Sequence, residues 1–151
     1  MSENIIEVDN IVTRLAGAVV HDGISLNIEK GKVTALIGGS GTGKSVLLKE
    51  IIGLLRPQSG KIRLFGEDVW AVDEARLMAL RRRFGVLFQD GALFSSLTVE
   101  QNVALPLREH TRLPPAECLE LARLKIAMAG LPVSAGSKMP SELSGGMRKR
   151  A

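Results

Sequence analysis

The feature that most constrains the fold of this chain is a glycine-rich segment at residues 38–45. It has the sequence Gly-Gly-Ser-Gly-Thr-Gly-Lys-Ser, which matches the phosphate-binding pattern G-x-x-x-x-G-K-[ST]. The mostly apolar, β-branched run before it, 33–37, is typical of a buried strand in a parallel sheet. Apolar residues after it recur at helical spacing as far as Gly53. The sequence therefore predicts a strand, a phosphate-binding loop and a helix in succession.

The chemistry predicted for this loop follows from its residue types. Its four glycines permit backbone conformations in which successive N–H groups face one anion, and the helix N-terminus adds free donors. Lys44 would contact the β- and γ-phosphates of a nucleotide, and the Ser45 hydroxyl would bind Mg²⁺. The alternative is a glycine-rich turn without a ligand, which the matching flanks disfavour. The loop residues predicted to bind nucleotide are Gly38, Gly39, Ser40, Gly41, Thr42, Gly43, Lys44 and Ser45.

The composition disfavours nucleic acid as a partner. Aromatic residues make up 3% of the chain, which argues against a stacking surface for single-stranded nucleic acid. The basic runs at 81–83 and 148–150 are short, and solvated helix faces explain them better than a DNA-binding patch. His21 and His110 are isolated, and we interpret His21 as an ordinary surface or packing residue rather than a ligand.

Several features of the sequence bear on location. The single cysteine, Cys118, excludes an intrachain disulfide, which fits a reducing compartment, and it is interpreted as a buried small hydrophobe. The start of the chain does not match a signal peptide, and no apolar run approaches the length of a membrane span. We therefore expect a cytoplasmic protein that reaches a membrane only through a partner.

Periodicity along the first 90 residues predicts further strands. Alternating apolar and polar residues between 5 and 29 indicate antiparallel strands, and the same pattern recurs at 61–65. Asp73 is placed to cap a helix. The apolar run 84–88 predicts another buried strand with Gln89 at its C-terminal end, where ligands gather in open α/β sheets.

The character of the chain changes between 91 and 140, where helical patterns dominate. A capping box predicts that Thr98 begins a helix, which Pro106 is expected to end. Pro114 and Pro115 are predicted to start a longer helix. At 144–146, Ser-Gly-Gly precedes another apparent helix and forms a second N-terminus suited to an anion, although this tripeptide is common in loops.

The order of these motifs resembles that of the nucleotide-binding subunit of an ATP-binding cassette (ABC) transporter. The resemblance implies an α/β fold: a P-loop NTPase (RecA-like) core with an N-terminal antiparallel β subdomain and a helical insert. It places the β subdomain and P-loop core at 1–90 and the helical subdomain at 91–140. Residues 141–151 would hold the signature motif and the start of its helix. ATP and Mg²⁺ are the implied cofactors.

The same resemblance assigns further site residues. Gln89 would be the catalytic Q-loop glutamine, contacting Mg²⁺ together with Ser45 and sensing the transmembrane permease. The signature motif would contact the ATP held by a second nucleotide-binding subunit, which implies a head-to-tail dimer. Its residues are Ser144, Gly145 and Gly146.

Two positions of the nucleotide site depart from the family pattern. The family stacks an aromatic side chain on adenine, but here Leu15 occupies that position. Many members carry a second hydroxyl where this chain has Val46, which would contribute only its backbone N–H.

Finer matches at 87–94, 99–102, 106–111 and 139–143 resemble the bacterial subgroup that moves phospholipids across the cell envelope. That subgroup includes lipid-asymmetry and toluene-tolerance systems linked to lipid-binding Mce proteins. The implied partners are a transmembrane permease, a second nucleotide-binding subunit and, through the complex, an Mce-type protein. The implied location is the cytoplasmic side of the inner membrane, held there peripherally by the permease.

The sequence ends at Ala151, within the helix that follows the signature motif. The Walker B aspartate, the catalytic glutamate and the switch histidine of the family have no match here, so we expect a fragment of a longer ATPase. A nucleotide-binding module without turnover that binds a membrane partner is the alternative. A GTPase is disfavoured because the guanine-binding Asn/Thr-Lys-x-Asp is missing, and a small-molecule kinase would not explain Leu-Ser-Gly-Gly.

Overall fold

A computed structural model describes residues 3–88 and 91–151 of the chain. It divides into two units, Met1–Gly85 and Val86–Ala151, and each is described by itself. The division predicted from the sequence, into 1–90, 91–140 and 141–151, stays a prediction. None of the helices that the structure describes has the length and apolar character needed to cross a bilayer.

The first unit is built on an antiparallel sheet with the strand order β2-β1-β3-β4. Strands β1 (Asn4–Leu15) and β2 (Ala18–Glu29) form a long hairpin, which confirms the strands predicted between 5 and 29. The two turn residues between them, Ala16 and Gly17, both have positive φ, as a tight hairpin turn requires. The other strands are β3 (Ser59–Leu64), which begins two residues before the predicted 61–65, and β4 (Glu67–Asp68).

Two helices complete the first unit. Helix α1 (Lys44–Ile51) follows the glycine-rich loop as predicted and buries Leu47 and Ile51. Helix α2 (Glu74–Arg81) begins at its predicted cap, where the Arg76 N–H donates to Asp73 Oδ1 at 2.7 Å. Each large aliphatic side chain buried here contributes about 1.5–3 kcal/mol.

Two predicted strands are not formed. Residues 33–37 and 84–88 have no regular structure, although their composition predicts buried strands. Val33 is 100% exposed, Ile37 91% and Leu87 76%. The physical reason is that no described strand lies beside either segment, so their N–H and C=O groups have no ladder partner and their side chains have no cover.

The second unit is helical, with α3 (Val99–His110), α4 (Pro115–Met128) and a short α5 (Gly145–Arg148). Helices α3 and α4 meet through small residues that are fully buried: Ala104, Cys118 and Ala122. The interpretation of Cys118 as a buried small hydrophobe is therefore confirmed. A second apolar cluster joins these helices to the chain that follows; its buried members are Val99, Ile126, Leu131, Ala135 and Leu143.

The predicted ends of α3 are half right. Thr98 caps it with the predicted capping box, since its hydroxyl accepts from the Gln101 N–H and its own N–H donates to the Gln101 side chain. Pro106 does not end it, because α3 continues to His110. Proline removes one helical N–H, but Leu107, the next residue, packs on the apolar cluster shared with α4 and keeps the helix in place.

Candidate nucleotide-binding site

The N-terminus of α1 is open to a ligand. Its cap is Gly43, with φ 88° and ψ 0°, which supplies no side-chain hydrogen bond, and the first turn contains no acidic residue. By contrast, the side chains of Asp73 and Thr98 cap α2 and α3. The first N–H groups of α1 are therefore left for water or an anion, at the positive end of the helix dipole.

Lys44 lies over the glycine-rich loop. Its Nζ donates to the carbonyl oxygens of Gly38, at 2.8 Å, and Gly39, and lies 3.3 Å from Thr42 Oγ1. The Thr42 hydroxyl in turn donates to the Gly39 carbonyl oxygen at 3.0 Å. These contacts close the loop into a compact turn with a cation in it, which is the arrangement a phosphate group requires.

A cavity of about 330 Å³ opens beside this loop. Its volume lies within the roughly 300–1,000 Å³ of small-molecule sites. Its lining residues are His21, Ile24, Leu36, Ile37, Gly38, Thr42, Gly43, Lys44 and Leu47. The cavity combines an apolar wall with one cation and the backbone of the loop.

The residues of the loop fit a phosphate with its metal. Residues 38–42 and Ser45 are exposed, so both the backbone and the Ser45 hydroxyl are accessible. Within 3–88 and 91–151, no group of three His, Cys, Asp or Glu side chains could hold a metal ion. A cation at the loop would be held by the Ser45 hydroxyl together with phosphate oxygens and water, since Mg²⁺ usually binds along with substrate phosphates.

Three buried polar side chains lie behind the loop, and the sequence interpretation missed their role. Thr13 is 2% exposed, His21 4% and Glu50 0%. His21 Nε2 lies 3.1 Å from the Gly43 carbonyl oxygen and Nδ1 lies 3.0 Å from Glu50 Oε2, while the Thr13 hydroxyl donates to Glu50 Oε1. His21 is thus a packing residue in contact with the loop itself. The available signal was a polar residue at an apolar position, as with Glu50 on the buried face of α1.

The structure does not bring every predicted site residue to this cavity. Leu15 ends β1 and is 38% exposed, outside the cavity lining, and Val46 is half-buried on α1. Gln89 lies outside the described residues. In the second unit, Ser144 caps α5, since its hydroxyl accepts from the Met147 N–H at 3.3 Å.

The signature residues also have the predicted local form. Gly145 and Gly146 are exposed, and a Cβ added at either would meet no atom within 4 Å. The space beside their α-carbons is therefore open in the described residues. The helix that they begin has four residues, and Ser144 already occupies one of its first donors.

Comparison with known proteins identifies the family. The family model described as ABC transporter matches residues 21–151. The chain belongs to the ABC transporter family. The solved dimeric cassette MJ0796, bound to ADP and phosphate, is 28% identical with a TM-score of 0.86, and the match covers 96% of this chain and 66% of that one. This cassette likeness confirms the predicted α/β, P-loop NTPase fold.

Curated relatives extend the comparison. The intermembrane phospholipid transport system ATP-binding protein MlaF of Haemophilus influenzae is 44% identical over 151 residues, covering all of this chain and 57% of the relative. The probable ribonucleotide transport ATP-binding protein mkl of Mycobacterium tuberculosis is 45% identical over 146 residues, covering 97% of this chain and 40% of the relative. The chain of this ABC protein thus spans about half the length of these relatives.

Proposed function

We propose that this chain is the nucleotide-binding part of an ABC transporter subunit that couples ATP binding and hydrolysis to phospholipid transport. The observation that carries the proposal is the uncapped N-terminus of α1, with Lys44 held over a glycine loop. A free helix N-terminus and a cation are matched to the charge of a triphosphate. In α2 and α3, by contrast, the side chains of Asp73 and Thr98 occupy the N-terminal donors.

Each loop residue has a proposed role. The backbone N–H groups from Gly38 to Val46 bind the phosphates, and Lys44 contacts the β- and γ-phosphates. Ser45 and Gln89 hold Mg²⁺, which neutralises phosphate charge when it is bound. Adenine rests on Leu15, an aliphatic surface that lacks the roughly 0.5–1.5 kcal/mol of an aromatic pairing.

The proposed assembly is a head-to-tail dimer on a permease. Ser144, Gly145 and Gly146 contact the ATP held by the second subunit, which their open backbone suits. The dimeric state of the similar cassette MJ0796 supports this arrangement. A transmembrane permease anchors the subunit on the cytoplasmic face of the inner membrane, and an Mce-type protein joins through the complex.

The substrate proposal rests on the curated relatives and on local sequence. Two relatives named for intermembrane phospholipid transport, from Haemophilus influenzae and Escherichia coli, are 44% and 42% identical. The mycobacterial relatives, named for ribonucleotide transport, are 44–45% identical. Overall identity does not separate the two substrates, so the phospholipid assignment depends on the segments 87–94, 99–102, 106–111 and 139–143.

MgATP binding tests the site. Lys44→Ala should weaken MgATP binding about 10- to 150-fold, because it removes a charge-assisted contact of about 1.5–3 kcal/mol. Isothermal titration calorimetry on the natural protein measures the MgATP affinity. Lys49→Ala is the matched control, since Lys49 is an exposed lysine near the other end of the same helix. Equal affinity of both variants would refute the assignment of the loop.

Nucleotide binding without turnover is the second candidate. The observation that favours it is that no acidic side chain lines the described cavity, so a general base has to come from elsewhere. A positioned base contributes about 10²–10⁴-fold. We expect phosphate release from the 151-residue chain at the background rate, and release that Lys44→Ala abolishes would contradict this.

The substrate assignment has its own test. If phospholipid, and not ribonucleotide, raises the rate of ATP hydrolysis by the permease-bound subunit, the phospholipid assignment is supported.

A further inference from the structure

We propose that His21 is a positioning residue for the phosphate-binding loop, holding the Gly43 peptide from behind while Glu50 and Thr13 hold His21. The inference rests on the proposed nucleotide-binding function and names three residues of β1, β2 and α1 that act on that site through the Gly43 peptide. Its consequence is that nucleotide affinity depends on a buried polar network in the interior of the first unit.

The Gly43 backbone of the loop packs directly against the imidazole ring of His21. A Cβ built on Gly43 would lie 2.6 Å from His21 Nε2 and 2.8 Å from Val20 Cγ1, so only glycine fits here. The Gly43 carbonyl oxygen accepts the first hydrogen bond of α1, from the Leu47 N–H at 2.9 Å. His21 Nε2 lies 3.1 Å from the same oxygen. The orientation of the peptide that precedes Lys44 is therefore fixed from two sides.

The desolvation cost of this network offsets much of the stability that its contacts contribute. Glu50 is completely buried, and a buried carboxylate carries a large desolvation cost. His21 Nδ1 and Glu50 Oε2 lie 3.0 Å apart, but neither atom makes a well-directed hydrogen bond. Replacing such a pair by apolar residues is often neutral or stabilising. What the pair supplies, and an apolar replacement would not, is a polar donor facing the Gly43 carbonyl.

The position of this carbonyl determines the geometry of the site. The Gly43 peptide is followed immediately by Lys44, whose Nζ reaches back to the carbonyls of Gly38 and Gly39. A rotation of the peptide would turn the first N–H groups of α1 and displace the lysine from the loop. His21 also lines the same cavity as Lys44. A change at His21 is thus transmitted to the phosphate-binding groups through one peptide.

The test separates positioning from stability. Three variants are compared in the protein as the cell makes it: His21→Phe, which removes both nitrogens, His21→Gln, which keeps a donor, and His21→Phe combined with Glu50→Leu. Calorimetry gives the MgATP affinity and thermal unfolding gives the Tm. We expect His21→Phe to lower the Tm and to weaken MgATP binding about tenfold, and His21→Gln to stay within about threefold of wild type. The double variant should regain most of the Tm that His21→Phe loses, short of the part due to the Thr13 hydroxyl left without its acceptor, while its affinity stays low.

Three results would contradict the inference. If the affinity of the double variant returns with its Tm, or if His21→Gln binds as weakly as His21→Phe, the network is packing only and the inference is wrong. Unchanged affinity in His21→Phe also overturns it. If wild type does not bind MgATP, or if Lys44→Ala has no effect, the proposed function fails first, and the two failures are thereby distinguished.

Discussion

Each unit of this ABC protein places buried polar side chains under an irregular loop, and the two solutions differ. In the second unit, the Asn102 side chain bonds to the backbone of the loop before α3. Its Oδ1 accepts from the Phe94 N–H at 2.8 Å, and its Nδ2 lies 3.0–3.1 Å from the carbonyl oxygens of Phe94, Leu97 and Thr98. In the first unit, His21 and Glu50 leave two buried polar atoms without a well-directed hydrogen bond.

The difference shows what each network is suited to do. A neutral amide that bonds to backbone within eight residues satisfies itself locally, so it fixes one loop conformation at little desolvation cost. A carboxylate and an imidazole drawn from distant elements cost more and stay imperfectly paired. We therefore expect the amide network to set stability and the His21 network to set the conformation of the site.

The largest expected effect is the loss of the amide network. Asn102→Leu would leave the Phe94 N–H and the Leu97 carbonyl oxygen without a partner, so the second unit should lose about 2–4 kcal/mol of unfolding free energy. Chemical denaturation measures the loss, and faster hydrogen exchange at the Phe94 amide locates it. Glu109→Leu, at an exposed position of α3, is the control. Equal stability of both variants would mean that the Asn102 bonds contribute nothing net.

A smaller effect is expected at the seat of the loop. Gly43→Ala forces a side chain to φ 88° and into the imidazole of His21, so it should cost about 2–3 kcal/mol and weaken MgATP binding. Gly17→Ala is the matched control, because it has φ 83° but nothing within 4 Å, and it should cost only the backbone strain of about 1–2 kcal/mol. Adding His21→Ala to Gly43→Ala should relieve part of the excess; no relief would show that the contact with His21 is unimportant.

The two units also show which parts of the structure can be predicted from the sequence. Elements with local signals were predicted correctly: the alternating strands between 5 and 29, the Asp73 cap, the Thr98 capping box and the start of α4 at Pro114 and Pro115. The glycine loop and its helix were likewise predicted from one contiguous pattern. In each case a few neighbouring residues determine the backbone, so no distant partner is needed.

The predictions that failed depend on distant partners. Apolar composition at 33–37 and 84–88 shows that the segments can be buried, but a strand also needs a neighbouring strand, and none of those described supplies it. The His21 network was missed because its three side chains come from three elements, with Thr13 and Glu50 separated by 37 positions. Pro106 was expected to end α3, but packing on α4 outweighed the local rule.

The smallest expected effect comes from an exposed ion pair, which sharpens the contrast with the buried one. The Arg76 guanidinium donates to the Glu67 carboxylate, and this hydrogen bond holds the pKa of Glu67 below its ordinary value of 4.5. Because the folded pKa is depressed, the pair stabilises the fold above pH 4.5, and the stabilisation is lost as the pH falls through the folded pKa. The pair is solvent-screened, so its contribution is small.

Glu67→Gln should therefore lower the Tm slightly at pH 7, and the difference from wild type should shrink below pH 4.5 and vanish once the carboxyl is protonated in both states. Thermal unfolding between pH 7 and pH 3 measures this, with Glu109→Gln as a control for an exposed carboxylate on α3. A Tm difference that stays constant with pH would mean that Glu67 acts through packing rather than charge. The exposed pair is expected to make the Tm depend on pH and to leave the MgATP affinity unchanged. His21→Phe, by contrast, should lower that affinity even when Glu50→Leu is added and raises the Tm again.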